Sequence, residues 1–466
     1  MRNHLHRAVL LALAGLGVSA GAHAETYVVT ASAQSLNPTL VSRIEAAGGT
    51  ITARLPQIGV VIVESDAPGF AQTAAGLPGV RSAVADFSMQ FETPAAQEEV
   101  SAQYANPPSS GDDDAFFDFQ WGHAAVDAAG AWNQGARGAG VRVAVLDSGI
   151  FCQHVDLAPN LDSAASASFV PGESWCNTAA TESSHGSHVA GTIAAADNGL
   201  GTIGVAPEAR LIAVKVLSSR TGSGSFAGII QGIVYAADQG ADVINMSLGV
   251  RGGLPVNGPG ANGVAELVNA TKRAVRYARS QNALVVVSAG NDARDLDHDS
   301  GVEVCDAGGC DRLNLRAFPA QVPGVLSVSA TAPVGWAKAP TTTSLDNLAS
   351  YSNYGQSAIS FSAPGGDFVY PGEENCTLKG LARPCWVWDM VFSTTRSPNF
   401  YGWNSGTSMA APHVSGVAAL IIGANGGEMS PDAVERVLRQ SADDLGKPGN
   451  DDAHGAGRVN AARAVQ

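Results

Sequence analysis

Five short apolar, β-favouring runs constrain the fold most: residues 141–146 (VRVAVL), 209–216 (ARLIAVKV), 243–246, 284–287 and 325–329. None alternates apolar with polar side chains, so each reads as a strand buried on both faces. Helix-like stretches at 185–196, 226–239 and 264–279 separate them. Strands alternating with helices imply a parallel sheet covered on both sides.

The part before these runs has a different rhythm. Residues 26–91 set short β-like runs (27–30, 60–63, 82–85) among helix-like stretches (38–47, 67–76). This β-α-β-β-α-β order suggests a small ferredoxin-like domain, and it holds neither cysteine nor a catalytic cluster. Residues 93–118 turn to Pro, Ser, Gln and the run Asp112, Asp113, Asp114, the composition of an exposed linker open to proteolysis. At the start, Arg2 and Arg7 precede an apolar run at 8–20 and then Ala22, His23, Ala24. Basic, apolar and small-x-small in that order reads as a cleavable signal peptide over 1–24. An apolar run of about 13 residues falls well short of the roughly 20 that a spanning helix needs. No second hydrophobic span follows, so the expected product is a soluble monomer in the periplasm or the medium.

Apolar residues make up 45% of the chain and charged ones 15%, which suits a compact protein and argues against long disorder. The net charge of −15, with no basic run to offset it, repels phosphate backbones and excludes nucleic acid as a partner. All six cysteines follow the signal, and an even number in an exported chain favours disulfides. Six cysteines allow 15 pairings. Nearest neighbours are the expected ones, Cys152 with Cys176, Cys305 with Cys310 and Cys376 with Cys385, because each pair brackets a short loop-like segment.

Functional groups of such folds collect at the carboxyl ends of the strands. Asp147 follows VRVAVL directly, and Asn291 closes Ser288, Ala289, Gly290, Asn291 after the run at 284–287. His185 opens a helix-like segment, and Ser408 lies between a glycine and a run of helix formers, as a serine at a helix N-terminus would. A serine hydroxyl attacks poorly until a base takes its proton. A histidine can do this near neutral pH, and a buried carboxylate fixes its tautomer and stabilises its cation. An amide then stabilises the oxyanion on the attacked carbonyl. Two rivals remain open. His185 and His188 lie three apart on one helix face and could hold a hydrolytic metal, although no third ligand stands at a familiar spacing. A catalytically silent binding protein could also keep the fold.

Three motifs, residues 143–150 (VAVLDSGI), 185–191 (HGSHVAG) and 406–413 (GTSMAAPH), make the chain resemble the subtilisin-like (subtilase) serine peptidases from about residue 117 to the end. Their order of Asp, His, Ser is the subtilisin order, itself a standing example of convergent triads. The resemblance implies a three-layer α/β fold with a mostly parallel central sheet over 119–466. Asp147 would be the orienting acid, His185 the general base and acid, Ser408 the nucleophile and Asn291 the oxyanion donor. Ser247, Leu248 and Gly249 match the strand that pairs with substrate backbone, and Ser288, Ala289 and Gly290 the opposite wall. Backbone pairing in an extended groove suits a polypeptide substrate. Asp292, at the pocket rim, would favour basic or mixed side chains over purely apolar ones. Residues 25–92 resemble the family's inhibitory propeptide, an intramolecular inhibitor removed by a cut between about Gln97 and Phe119. Asp156 and Asn198 resemble ligands of a stabilising calcium, for which carboxylate and amide oxygens are suitable donors, and no catalytic cofactor is implied. Ser187 stands where many relatives have threonine. Residues 295–315 and 370–388 look like insertions near the cleft.

Overall fold

The computed structural model describes residues 24–92, 97–100, 112–298, 301–306 and 309–466, without the side chains of 97, 98, 304–306, 309 and 311. The expected signal peptide lies almost wholly outside the described residues.

The amino-terminal unit is an antiparallel sheet of four strands in the order Thr50–Leu55, Val60–Ser65, Glu25–Ala31, Val80–Ala85. The helices Pro38–Ala46 and Phe70–Ala75 complete the β-α-β-β-α-β chain order. The first begins where side chain and ring chemistry favour it: Asn37 accepts from Thr39 N at 2.8 Å and Pro38 takes the first helical position. One face of the sheet, with Val29, Val61 and Val63, buries Ile44 and Phe70 of these helices. The other, with Val28, Val60 and Ile62, packs against the larger unit. Both faces are covered, so the run at 60–63 has no alternation. Thr50–Leu55, not anticipated from sequence, has alternating partial exposure and too few apolar residues to stand out.

The main sheet runs Asn347–Leu348, Leu326–Ala332, Leu284–Ser288, Val243–Met246, Arg142–Asp147, Arg210–Lys215, Ala167–Ser168, with Phe361–Pro364 also paired to Leu326–Ala332. Every pairing is parallel except that of Asn347–Leu348. Val143 and Val145 enter a core with the helices His185–Ala194 and Thr407–Ala424. Ala144 and Leu146 enter another with Phe226–Asp238 and Ala261–Ser280. This makes three layers, with the five apolar runs as the inner strands. Thr407–Ala424 is long and apolar enough to cross a membrane, yet 89% of it is buried inside the protein. It is a core helix enclosed by sheet and neighbours.

The ends of the segment expected as an exposed linker are packed instead. Gln97–Val100 pairs antiparallel with Tyr401–Asn404, and Glu99 forms an ion pair with Arg396. Asp114 and Phe116 are fully buried, the Phe116 ring lying against Phe119, Phe392 and Tyr401. Aromatic residues at 116, 117 and 119 gave this segment apolar surface that its Asp run outweighed in the composition.

Cys152–Cys176 and Cys376–Cys385 are disulfides with Cα separations of 5.3 and 4.8 Å. The third expected pair involves a Cys305 side chain outside the described residues; its backbone stands opposite that of Cys310 in the hairpin Val302–Asp306 and Gly309–Leu313. The other insertion also forms a hairpin, Asn375–Leu378 with Leu381–Pro384.

Lys215 pairs in register with Asp147 on the neighbouring strand and is fully buried. Its ammonium meets Glu173 at 2.9 Å, Asn177 Oδ1 at 2.9 Å and Ser219 Oγ at 2.8 Å. Burial pushes the Glu173 carboxyl up, but hydrogen bonds from Ser218, Lys215 and Ser219 outweigh it and hold the group at about 2. Its contribution to stability is therefore present above the ordinary glutamate range near 4.5 and is lost as pH falls toward about 2. Urea unfolding across this window should show that decline in wild type and a flatter one in Glu173→Gln. Lys215→Ala, which leaves a buried carboxylate unpaired, should cost about 3 kcal/mol or more.

Candidate active site

Asp147 ends its strand, and the chain turns at Gly149, whose φ of +86° favours glycine. His185 begins the helix His185–Ala194. The two elements can meet because position 186 is glycine: a Cβ there would lie 2.2 Å from Gly149 O and 3.2 Å from Asp147 Cβ. The result is a bond of 2.8 Å between His185 Nδ1 and Asp147 Oδ1, with the side chains 9% and 1% exposed. Because a carboxylate only accepts, Nδ1 carries the proton and Nε2 presents a lone pair. That Nε2 is buried and has no hydrogen-bond partner among the described residues.

Ser408 is the second residue of Thr407–Ala424 and is 5% exposed. Its hydroxyl donates to Ser247 O at 3.1 Å, and no bond to His185 is formed. Its backbone is anchored from below. Ser247 Oγ donates to Ser408 O at 2.7 Å, Asn245 Nδ2 to Ser247 Oγ at 2.9 Å, and Ser415 Oγ to Asn245 Oδ1 at 2.8 Å. Asn245 and Ser415 were missed in the sequence. The available signal was an asparagine inside an otherwise apolar strand, since a buried amide needs partners.

Asn291 Oδ1 accepts from both Thr407 N and Thr407 Oγ1 at 2.9 Å. This fixes the amide orientation and turns Nδ2 away from Thr407. Thr407 Oγ1 in turn accepts from Gly290 N at 3.0 Å. Asn353 braces the same loop, donating to Ala289 O at 2.9 Å and accepting from Asp292 N at 3.2 Å.

An extended segment of the chain itself lies in the groove. Ser88–Gln90 pairs antiparallel with Ser223–Ser225, Phe91 bridges to Val250, and Glu92 N donates to Gly249 O at 3.0 Å. The Glu92 side chain lies between Gly249 and Gly290 and accepts from Asn291 N at 3.1 Å. The two triplets expected to wall the cleft, Ser247, Leu248, Gly249 and Ser288, Ala289, Gly290, thus flank one groove.

Residues 138–457 match the model of the subtilase family. Subtilisin DY of Bacillus licheniformis is 35% identical over 333 residues, covering 72% of this chain and 93% of the relative. Subtilisin Savinase of Lederbergia lenta is 34% identical over 348 residues, 74% of this chain and 98% of the relative. The chain belongs to the subtilase family. It is a serine-type endopeptidase. The crystal structure of the epidermin leader peptide processing serine protease of Staphylococcus aureus has the same fold, with a TM-score of 0.71 at 21% identity over 95% of this chain and 98% of that one.

His188, His413 and His123 of this subtilase are packing residues. His188 Nε2 faces Val391 O at 3.1 Å and Gly402 O at 3.2 Å, pointing away from any ligand shared with His185. His413 Nδ1 lies 2.8 Å from Met409 O, and its ring meets His123 edge to face. Burial pushes their imidazoles down, His123 and His188 to about 3 and His413 to about 4, so they are neutral at physiological pH. Asp156 and Asn198 do meet, Asn198 Nδ2 donating to Asp156 Oδ1 at 3.4 Å while Leu200 N holds the amide oxygen at 2.9 Å. Beside them Asp112, Asp113, Asp114 and Asp197 bring carboxylate oxygens within 4.8 Å of one another.

Thr407→Val keeps the shape of the residue but removes the hydroxyl that orients Asn291. It should lower kcat about tenfold with KM little changed, as expected when a donor is displaced by a fraction of an ångström. Steady-state kinetics on a peptide substrate would check the split.

Proposed function

We propose that this subtilase is a secreted endopeptidase made as an autoinhibited precursor, cutting polypeptides through an acyl-enzyme. Asp147 orients His185, and His185 Nε2 takes the proton of Ser408 as Oγ attacks the carbonyl carbon. The imidazolium then gives that proton to the leaving amine, and water repeats the sequence on the ester. Asn291 Nδ2 donates to the oxyanion. The observation that carries the assignment is the 2.8 Å bond from His185 Nδ1 to Asp147, which leaves Nε2 buried, without a partner and available as the base of the neutral imidazole.

Residues 25–92 act as the inhibitor, and the segment 88–92 is the part that blocks the groove. Supporting this reading, Arg273 Nη1 holds Ala31 O, Ala33 O and Ile58 O at 3.0 to 3.2 Å, and Arg81 makes a bidentate pair with Glu266. Asp86 caps the helix Phe226–Asp238, accepting from Phe226 N at 3.0 Å and Ala227 N at 3.3 Å. Maturation releases this unit by a cut in 93–118.

The acidic cluster near Asp156 and Asn198 suits a structural calcium. Burial, with Asp112 adding to it, pushes the Asp114 carboxyl up to about 9, and burial raises Asp156 to about 6. A hard divalent cation would relieve both penalties, with Asp114, Asp156 and loop oxygens around Asn198 as its donors.

A serine-directed phosphonylating reagent should label wild type once, at Ser408, and leave Ser408→Ala unlabelled, uncut and unable to hydrolyse casein. Asn291→Ala should lose about 10²- to 10³-fold in kcat. Full activity in either variant would reject the assignment. Millimolar calcium should raise the thermal midpoint of wild type, and Asp156→Asn should abolish the rise.

A further inference from the structure

The chain lies on its own catalytic unit at a second place. Glu92 reaches the Asn291 loop, and five residues on, Gln97–Val100 pairs antiparallel with Tyr401–Asn404, Gln97 opposite Asn404 and Val100 opposite Tyr401. Tyr401–Asn404 leads through Ser405 and Gly406 into the helix that carries Ser408. Five residues span at most about 17 Å. One short stretch of chain thus enters at the Asn291 loop and leaves along the strand that runs into the nucleophile's helix. On its other side Tyr401–Asn404 pairs with Val391–Thr394, so Gln97–Val100 is an edge strand, covering backbone groups that any extended chain could satisfy. Glu99 adds a side-chain contact. Arg396, in the turn between Val391–Thr394 and Tyr401–Asn404, donates from Nε to Glu99 Oε1 at 3.0 Å while Nη2 meets Oε2, a two-pronged hold on one carboxylate. Ala180 O accepts from Arg396 Nη1 at 3.1 Å, and the Phe400 ring centroid lies 5.8 Å from Cζ. Neither contact involves Glu99, so the guanidinium keeps its support when that residue leaves.

We propose that Tyr401–Asn404 and Arg396 form the leaving-group side of the substrate cleft, where Arg396 selects polypeptides with an acidic residue downstream of the cut bond. The inference rests on the reading that 88–92 blocks the groove of an endopeptidase that matures by a cut beyond it. Gln97–Val100 is then the first occupant of this edge and vacates it after the cut. The polarity agrees. Antiparallel pairing carries the chain from Asn404 toward Tyr401, away from the helix start at Thr407, as the departing half of a substrate must run. A substrate of the same polarity would lay its backbone on the same edge, and a Glu or Asp in the place of Glu99 would meet the guanidinium. The net charge of −15 gives no general attraction for acidic chains, so the preference is confined to that one position.

Internally quenched peptides test this on the matured enzyme. Each carries a single Glu, Gln or Lys at one of about the first six positions downstream of the cut bond, which mass spectrometry identifies. At one position wild type should cleave the Glu peptide roughly fivefold better in kcat/KM than the Gln peptide, the size of effect a part-exposed charge pair supplies. Arg396→Gln should bring that ratio to about one. Arg396→Lys should keep part of it, and Arg396→Glu should favour the Lys peptide instead. Each ratio is taken within one variant, so a general loss of folding or catalysis cancels. A wild type that discriminates at no position, or a ratio that survives in both Arg396→Gln and Arg396→Glu, would overturn the proposal and leave the endopeptidase reading intact. A wild type that cuts none of the peptides would overturn that reading itself.

Discussion

The approach of the helix His185–Ala194 to the end of Arg142–Asp147 governs the rest of the site. Backbone meets backbone there, with Gly186 against Gly149, at a separation no side chain could occupy. That contact sets a histidine and an aspartate at hydrogen-bonding distance inside a region from which water is excluded. Asp147 is 1% exposed and its pairing is short, so the imidazole is held in one tautomer before any substrate arrives. Catalytic groups held in this way need no reorganisation during reaction.

The same economy applies to the other half of the site. Thr407–Ala424 is wrapped by apolar neighbours, and its polar first turn is where it makes its specific contacts. Thr407 orients Asn291, the Ser408 carbonyl receives Ser247, and Ser415 steadies Asn245 one strand away. These buried polar side chains answer one another, which a dry interior favours. A hydroxyl at 408 and an amide at 291 are thus placed by the one helix, while Asp147 and His185 are placed by a strand and a second helix.

How much of this could be read from the sequence depends on how local the physics is. The five apolar runs identified the inner strands because burial on both faces leaves short β-favouring runs without alternation. The four residues of the site were legible because they stand where strands end and helices begin. Thr50–Leu55 was not, because an edge strand is stabilised by its partner more than by its own side chains. The packing of 112–119 was hidden for a related reason: three consecutive aspartates dominate the composition, while Phe116 and Phe119 find their partners near 392 and 401, far along the chain. Asn245 carries no motif, Thr407 lies in one without its role being readable there, and both roles exist only when two elements meet.

The sheet of the amino-terminal unit has two faces closed in different ways. One face is closed by its own two helices, which gives the unit a core of its own. The other face shares apolar surface with Phe226–Asp238 and Ala261–Ser280, so docking buries Val28, Val60 and Ile62. Such contact is insensitive to pH. The polar attachments at its border are directional instead: Arg81 to Glu266, Asp86 at a helix start, and the groove segment 88–92. A body held by apolar contact and a tail held by backbone pairing in the groove, Ser88–Gln90 against Ser223–Ser225 and Glu92 N on Gly249 O, are separate attachments. On the reading proposed above, withdrawing that tail would open the groove before the larger interface has to come apart.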